Sequence, residues 1–473
     1  MTNQNLKKIS LYKIPGSYRD PAGYVYSLEN KIYRIVNKFG KNNYEFAKNN
    51  KIIEESIDNK FLVESNELSL DETPEALKGL NGSYIIEHKK IPFISYPYEW
   101  SFSQLKDAAL LHLKFQIFLL NKKAALKDAS AYNIQFIGKK PVFIDLLSIK
   151  PYEEGEHWLG YRQFCEQFLN PLLLKSLKGM NFNNLYRGNL EGITSNELIK
   201  FLSFKDKFSI NIQLHVIWHS KLINSTINQN EKNIKKYQNI KKLSLTSYRS
   251  ILEQLYRWIN KLHPLKEKSA WDNYATDNTY ERKQIIQKKL IVSEFCLNNK
   301  PVSIIDLGCN TGEYSEVALN NGCSYAIGYD SDINAIEKSY INSKNKNLNL
   351  LPLFADISNP SPAQGWLQSE RDGFLSRSKA EAVIALAFIH HLAIGKNIPL
   401  KDIINFITSI SKKGLIEFVP KDDQTVKKML ISREDIFQEY NEENFFKLLN
   451  NFVKVKNVIN INGSGRKIIE FSS

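Results

Sequence analysis

Hydrophobic residues in the second half of the chain occur in short continuous runs separated by longer stretches with helical spacing. The runs are Ser303–Ile305, Tyr325–Tyr329, Leu350–Phe354, Ala382–Ala387 and Gly414–Val419. Runs of this kind, alternating with amphipathic helices, predict buried parallel strands in an α/β domain. Two further strand patterns, Phe452–Val455 and Arg466–Phe471, flank an Asn-Gly-Ser-Gly turn signal, which predicts a terminal hairpin.

The first half of the chain combines short strand patterns with helical ones. Residues 22–36 alternate aromatic and polar side chains on both sides of Glu29-Asn30, which predicts a two-stranded hairpin. A long helix is predicted to begin at Ser101, with Ser103 as a candidate cap, and the leucine-rich segments further along also have helical spacing. This half is therefore predicted to be an α+β domain.

Charged residues and glycines follow the first two runs of the second half. Asp306 ends the first run, and Gly308 and Gly312 lie in the turn that leads into a helix. Glycines let the backbone approach a ligand, and the free N–H groups of a helix start favour a polar or anionic one. The second run ends at Asp330, about twenty residues further on, where a carboxylate can accept both hydroxyls of a ribose. This pairing indicates a nucleoside site.

These residues resemble the first motif of the class I S-adenosylmethionine-dependent methyltransferases, an Asp-x-Gly-x-Gly-x-Gly loop followed by a ribose-binding acid. Asn310 replaces the middle glycine, and asparagine tolerates a left-handed backbone better than other non-glycine residues. The resemblance implies a Rossmann-like seven-stranded domain over residues 269–473, with S-adenosyl-L-methionine as its cofactor. The cofactor-binding residues that it implies are Asp306, Gly308, Asn310, Gly312, Asp330, Asp356 beside the adenine, and Tyr274 and Tyr280 in a segment folded over the cofactor.

The fourth run leads directly into His390 and His391. Ligands of open α/β sheets bind beyond the carboxyl ends of the strands, so an imidazole here is a candidate general base toward a hydroxyl or amine acceptor. Glu417, in the fifth run, is a second acid–base or acceptor-orienting candidate at the same rim. The alternative is that the histidines are structural. A metal site is disfavoured, because adjacent residues seldom direct both rings at one ion and no third ligand is evident.

The segment LKDASAYNIQFIGKKPVFIDLLS in the first half contains three polar residues with a distinctive spacing. Asp128 and Asn133 lie five residues apart, and a predicted hairpin then leads to Asp145. The segment is similar to the catalytic and metal-binding segments of the protein-kinase-like and aminoglycoside-phosphotransferase-like folds. That resemblance implies a proton-accepting role for Asp128 and Mg-ATP binding through Asn133 and Asp145.

Two departures weigh against phosphotransfer in this half. There is no glycine-rich loop in the first hairpin and no Val-Ala-x-Lys strand, and Arg34 is the strand cation nearby. Asp145 is also followed by Leu146 rather than phenylalanine and glycine. We expect a kinase-like fold that binds a nucleotide or serves as a docking surface, with an active bifunctional kinase–methyltransferase as the alternative. The simplest interpretation of Asp128 and Asn133 is that they cap a loop.

Charge and cysteine content indicate which binding partners and which cell compartment to expect. The formal net charge is +14, and residues 205–268 hold 13 Lys and Arg against 4 Asp and Glu. A solvated basic face explains this excess of charge better than nucleic acid, phosphate or lipid binding does, and nucleic acid is not expected as a partner. No run is long and apolar enough to span a membrane, and the amino terminus lacks the apolar core of a signal peptide. Four irregularly spaced cysteines favour the cytoplasm.

The arrangement as a whole looks like a bacterial group related to nodulation host-specificity proteins. It includes Lys-Asp-Ala-x-x-Tyr-Asn, Ile-His-His-Leu and Glu-Phe-Val-Pro-Lys. We predict three regions: a kinase-like domain over residues 1–223, a basic helical linker or insertion over 224–268, and the methyltransferase domain over 269–473. The expected activity is methyl transfer to an O- or N-acceptor, either a glycan, a cell-surface precursor or a small metabolite, with a non-catalytic binding protein as the alternative.

Overall fold

The computed structural model describes residues 11–218, 220–221, 242–265, 282–431 and 433–473. Near its start a five-stranded antiparallel sheet has the order β1-β2-β3-β5-β4. Its strands are β1 (Tyr12–Lys13), β2 (Gly23–Leu28), β3 (Lys31–Val36), β4 (Ser65–Glu67) and β5 (Tyr84–His88). Glu29 and Asn30, with φ of 48° and 71°, form the left-handed turn of the predicted β2–β3 hairpin.

Helices make up most of the remaining first half. They are α1 (Lys41–Asn49), α2 (Ile52–Asp58), α3 (Glu75–Lys78), α4 (Phe102–Asn121), α5 (Tyr161–Phe164), α6 (Asn170–Lys178), α7 (Asn183–Gly188), α8 (Ser195–Phe201), α9 (Ile210–Ile212) and α10 (Leu245–Asn260), with π-helical turns at Cys165–Leu169 and Gln213–Trp218. Ser101 caps α4, because its hydroxyl accepts from the backbone N–H of Gln104. The prediction that Ser103 is the cap is wrong, since its N–H and hydroxyl both donate to Glu337.

Two small antiparallel pairs follow α4. Strand β6 (Ala124–Leu126) pairs with β9 (Ile149–Pro151), and β7 (Ile134–Ile137) pairs with β8 (Lys140–Phe143). The β6–β7 loop carries Asp128 and Asn133, and Asp145 follows β8. The three polar residues of the kinase-like pattern therefore lie on adjacent loops.

The second half contains a seven-stranded sheet in the order β12-β11-β10-β13-β14-β16-β15. Its strands are β10 (Ser303–Leu307), β11 (Tyr325–Asp330), β12 (Leu350–Phe354), β13 (Ala382–Ala385), β14 (Gly414–Phe418), β15 (Lys454–Asn460) and β16 (Lys467–Ser472). Strand β16 is antiparallel to both of its neighbours, whereas β10 to β14 are mutually parallel. The reversed last strand inserted in an otherwise parallel sheet is the arrangement that the class I methyltransferase resemblance implies.

One helix precedes β10, and the others lie between strands along the chain. They are α11 (Arg282–Asn299), α12 (Glu313–Asn320), α13 (Ile333–Asn345), α14 (Phe374–Arg377), α15 (Ile389–Lys396), α16 (Leu400–Ile410), α17 (Gln424–Leu430) and α18 (Glu442–Asn450). Successive residues Ile304 and Ile305 of β10 belong to different apolar clusters, so the sheet is buried on both faces.

The two halves of the chain pack against each other. Arg377 forms a buried ion pair with Glu99 and donates to the carbonyl of Ile94 at 2.9 Å. Tyr340 donates to Asp107 at 2.8 Å. Within the described ranges, no helix is long and apolar enough to cross a membrane.

Candidate functional site

The turn after β10 has three residues in the left-handed region. The φ angles of Gly308, Asn310 and Gly312 are 74°, 49° and 84°, so the asparagine adopts the conformation expected of it. A Cβ atom at Gly312 would lie 2.7 Å from Ser339 Oγ, which requires glycine there. The turn therefore brings the start of α12 close to the sheet.

Asp306 stabilises this turn from beneath. Its carboxylate is buried and accepts a 2.7 Å hydrogen bond from Ser315 on α12. Burial raises the pKa of Asp306 to about 7. The side chain is not part of the cavity wall described below, so its observed contact is with the protein rather than with a ligand site.

Asp330 links the turn to the end of β11. Its two carboxylate oxygens accept from the backbone N–H groups of Asn310 and Asp332, each at 2.8 Å. Burial nevertheless raises its pKa. Asp356, after β12, accepts from the N–H and hydroxyl of Ser358 at 2.9 and 2.6 Å. Both carboxylates are thus held in place by local hydrogen bonds.

A cavity of about 420 Å³ lies at the carboxyl ends of the parallel strands. Its wall includes Gly308, Asn310, Asp330 and Asp356 from the predicted cofactor site, together with His391. The volume lies within the range of about 300–1,000 Å³ that is usual for small-molecule sites. The structure therefore brings four of the predicted cofactor residues and one predicted catalytic residue to a single cavity.

The two histidines have different environments. His391 lines the cavity, and burial lowers its pKa. His390 is buried away from the cavity wall, with its ring centroid 4.2 Å from that of His391. Neither nitrogen of His390 has a hydrogen-bond partner among the described residues, and burial lowers its pKa well below the ordinary value. Of the pair, His391 is therefore the one that can meet an acceptor.

Glu417 faces the protein interior and does not form part of the cavity wall. Lys288, on α11, donates to its two oxygens at 2.7 and 2.8 Å. Its carboxylate also accepts from the N–H of Ala387 at 2.8 Å and lies 3.6 Å from the Arg466 guanidinium. Arg466 in turn forms a two-pronged pair with Asp423. Two buried cations and two carboxylates thus form one network, which reaches the cavity wall through Lys288.

The three polar residues of the kinase-like pattern are engaged by protein groups. Asn133 donates to both oxygens of Asp128 at 3.1 and 3.3 Å. Asp145 accepts from Arg34 at 2.8 Å, and Arg34 also lies 3.6 Å from Asp20. Burial, and secondly the nearby Asp145 carboxylate, raises the pKa of Asp128 to about 6. The Arg34 guanidinium therefore lies beside Asp145, the residue that the resemblance names as a magnesium ligand.

Comparison with known proteins gives one full-length relative. Nodulation protein NoeA of Rhizobium meliloti (strain 1021) is 44% identical over 462 residues, which cover 97% of this chain and 96% of that protein. The chain belongs to the NoeA family of nodulation proteins. No family model matches the chain.

Solved structures are similar to a part of this NoeA-family chain. N-methyltransferase NodS from Bradyrhizobium japonicum WM9, in complex with S-adenosyl-L-homocysteine, is 12% identical and covers 42% of this chain and 91% of that chain, with a TM-score of 0.32. PH0226 protein from Pyrococcus horikoshii OT3 is 15% identical, and the match covers 42% of this chain and 98% of that chain, with a TM-score of 0.31. WbdD is 14% identical, and the match covers 43% of this chain and 42% of that chain, with a TM-score of 0.30.

Lys288 also lines the cavity, and it was not among the residues predicted from the sequence. It occupies the buried stripe of α11, in line with Gln284, Val292 and Phe295. A lysine in line with the apolar residues Val292 and Phe295 of a predicted helix was the available signal. Tyr274 and Tyr280, and residues 224–241 and 266–268 of the predicted linker, lie outside the described residues.

Proposed function

We propose that this NoeA-family chain binds S-adenosyl-L-methionine in the cavity at the ends of β10 to β13 and transfers its methyl group. The observation that supports this most is the combination, on one cavity, of a left-handed glycine–asparagine turn with Asp330. The turn lets the protein backbone approach a ligand closely, and the carboxylate can accept hydrogen bonds from ribose hydroxyls.

The residues present fit the cofactor. A Cβ atom at Gly308 would lie 3.1 Å from Phe388, so glycine lets this ring of the cavity wall pack closely against the turn. Asp330 would accept the ribose hydroxyls, and Asp356 would accept from the adenine amino group. Both have free acceptor capacity, because each carboxylate oxygen has more than one lone pair.

The cofactor supplies a methyl group on a sulfonium, which is already a good leaving group. The protein's contribution is therefore alignment and proton acceptance. His391 would take the proton of a hydroxyl or amine acceptor, since burial keeps its imidazole neutral at neutral pH. We favour an oxygen acceptor on a glycan, a cell-surface precursor or a small metabolite.

Calorimetry on the full chain tests cofactor binding. We expect heat on titration with S-adenosylmethionine or S-adenosylhomocysteine, and its loss in Asp330→Ala. The exposed Asp71, at a distance along the chain from the cavity residues, gives a matched control, Asp71→Ala. Absence of heat in the wild type, or full binding by Asp330→Ala, would refute the proposal.

Transfer itself requires a second measurement, because a non-catalytic binding protein would pass the first. Methyl-labelled cofactor is incubated with the chain and a cell extract, and labelled products are separated. We expect His391→Asn to lose most of the transferred label while its affinity for S-adenosylhomocysteine changes by only a few-fold. A weakened affinity with unchanged transfer would show that His391 is structural. Metabolite comparison of a deletion strain would then identify the acceptor.

For the first half we propose a kinase-like fold without phosphotransfer. The pairing of Asp145 with Arg34 and of Asp128 with Asn133 supports this, because the groups that would hold Mg-ATP already have partners. We expect Mg-ATP to give little thermal stabilisation and no transferred phosphate. A clear thermal shift that Asp145→Asn abolishes, with label reaching an acceptor, would instead support the bifunctional kinase–methyltransferase. We also propose a cytoplasmic location, in keeping with four free cysteines.

A further inference from the structure

The helical segment 210–218, which comprises α9 and the π-helical turn after it, is apolar on two sides. Ile212 and Val216 form its inner side and are 2% and 0% exposed. A helix on the surface of a protein ordinarily has polar residues on its outer side. The outer side of this segment does not follow that expectation, because it is apolar as well.

The outer side continues into an exposed aromatic pair. Ile210, Leu214 and Trp218 follow one another at intervals of four residues and are 75%, 37% and 54% exposed. Phe204 and Phe208, just before the helix, are 78% and 71% exposed, with ring centroids 4.9 Å apart. We call these five residues the outer apolar face. Contiguous exposed apolar residues of this kind mark a membrane or protein contact.

The charges beside the outer apolar face are positive. Lys200 and Lys205 are exposed, and with Lys207 they form no ion pair among the residues that the structure describes. Asp206 is the single acidic residue within residues 200–218, and it is paired with Lys178. The surface therefore combines aromatic and aliphatic side chains with uncompensated lysines.

We propose that the outer apolar face binds the surface of a membrane that contains anionic lipids. Phenylalanine and tryptophan enter the boundary between headgroups and acyl chains, and lysines at the rim attract the negative headgroups. A second copy of the chain fits less well, because a symmetric contact would bring the unpaired lysines of both copies together. The interaction is peripheral and agrees with the finding that, in the described part of the chain, no helix is suited to span a membrane.

Vesicle sedimentation with the full chain tests this proposal. Vesicles of phosphatidylcholine alone are compared with vesicles of phosphatidylcholine and phosphatidylglycerol in equal parts, at low and at high salt. We expect the chain to pellet with the anionic vesicles, and salt to weaken that binding because it screens the lysines. Lack of binding to the anionic vesicles at low salt, or equal binding to both kinds, would overturn the proposal.

Matched variants assign the binding to this surface. Phe204→Ser/Phe208→Ser should lower the partition coefficient about tenfold or more, and each lysine replaced by glutamine about fivefold. Phe39→Ser is the control, because Phe39 is 73% exposed elsewhere on the chain. Thermal unfolding confirms that the variants remain folded.

Unchanged vesicle binding by the double variant would overturn the proposal. Analytical ultracentrifugation gives an independent check on the occupant of the surface. A wild-type dimer that Phe204→Ser/Phe208→Ser dissociates would assign the outer apolar face to a second copy instead, and would likewise overturn the proposal.

Discussion

The buried pair of Lys288 and Glu417 gives the most direct test of how the cavity is held together. Their side chains are 1% and 0% exposed, and both carboxylate oxygens accept from the ammonium. Removing one partner of such a pair leaves an uncompensated buried charge, at a cost of about 3–5 kcal/mol. In Lys288→Met the Glu417 carboxylate keeps Arg466 at 3.6 Å and the N–H of Ala387 at 2.8 Å. We therefore expect the lower end of that range, about 3 kcal/mol.

The double variant Lys288→Met/Glu417→Gln separates charge from packing. It removes both charges but retains an amide oxygen for Ala387, so its loss of stability should be smaller than the sum of the two single variants. The midpoint of urea unfolding is measured for all variants. Lys289→Met is the control, because it removes the ion pair of Glu313 with a lysine side chain that is 39% exposed. It should lower the free energy of unfolding by about 1 kcal/mol or less. Equal losses for the two lysines, or strict additivity in the double variant, would refute the reasoning.

Three further predictions concern single residues. Because burial raises the pKa of Asp306 from 3.8 to about 7, the protonated form is favoured in the folded chain. The free energy of unfolding should therefore fall as pH rises from about 4 to about 7, and the fall should be smaller in Asp306→Asn. Urea unfolding midpoints that change in parallel for both proteins across this range would contradict this prediction. At Asn310, with φ of 49°, valine should weaken S-adenosylhomocysteine binding about tenfold in calorimetry, whereas glycine should leave it within a few-fold; equal affinities would show that the left-handed conformation does not matter. Arg377→Met should leave Glu99, 3% exposed, without its cation, and hydrogen exchange should rise around both residues; unchanged exchange at Glu99 would show that the pair does not join the two halves.

Much of the second half could be predicted because its signals are local. Strands β10 to β14 are continuous apolar runs, as expected when a parallel sheet is buried on both faces. The turn signal before β16 predicted a hairpin, and the hairpin gives the reversed strand. The left-handed backbone at Asn310 could be predicted because it depends on residue type and turn geometry.

The partners of charged groups could not be predicted, because they are set by packing across the chain. Glu417 was expected at the cavity rim, yet it pairs with a lysine 129 residues away. Arg34 and Asp145 are 111 residues apart and meet only when β3 packs beside the β8 loop. Adjacent histidines on a helix point in directions about 100° apart, so the sequence does not reveal which one faces the cavity.

The first half of the chain also contacts the loop that follows Asp356 on the cavity wall. Arg187, on α7, donates to the carbonyl of Asn359 at 3.0 Å, three residues beyond Asp356. Gln364, in the same loop, donates back to the carbonyl of Arg187 at 2.7 Å. The loop that follows the proposed adenine-binding residue Asp356 is thus held by Arg187 of the first half of the chain. Because these bonds cross between the halves, we expect isolated residues 269–473 to hold the loop less firmly and to bind the proposed cofactor more weakly than the full chain does. This gives the first half a role in the site that needs no phosphotransfer.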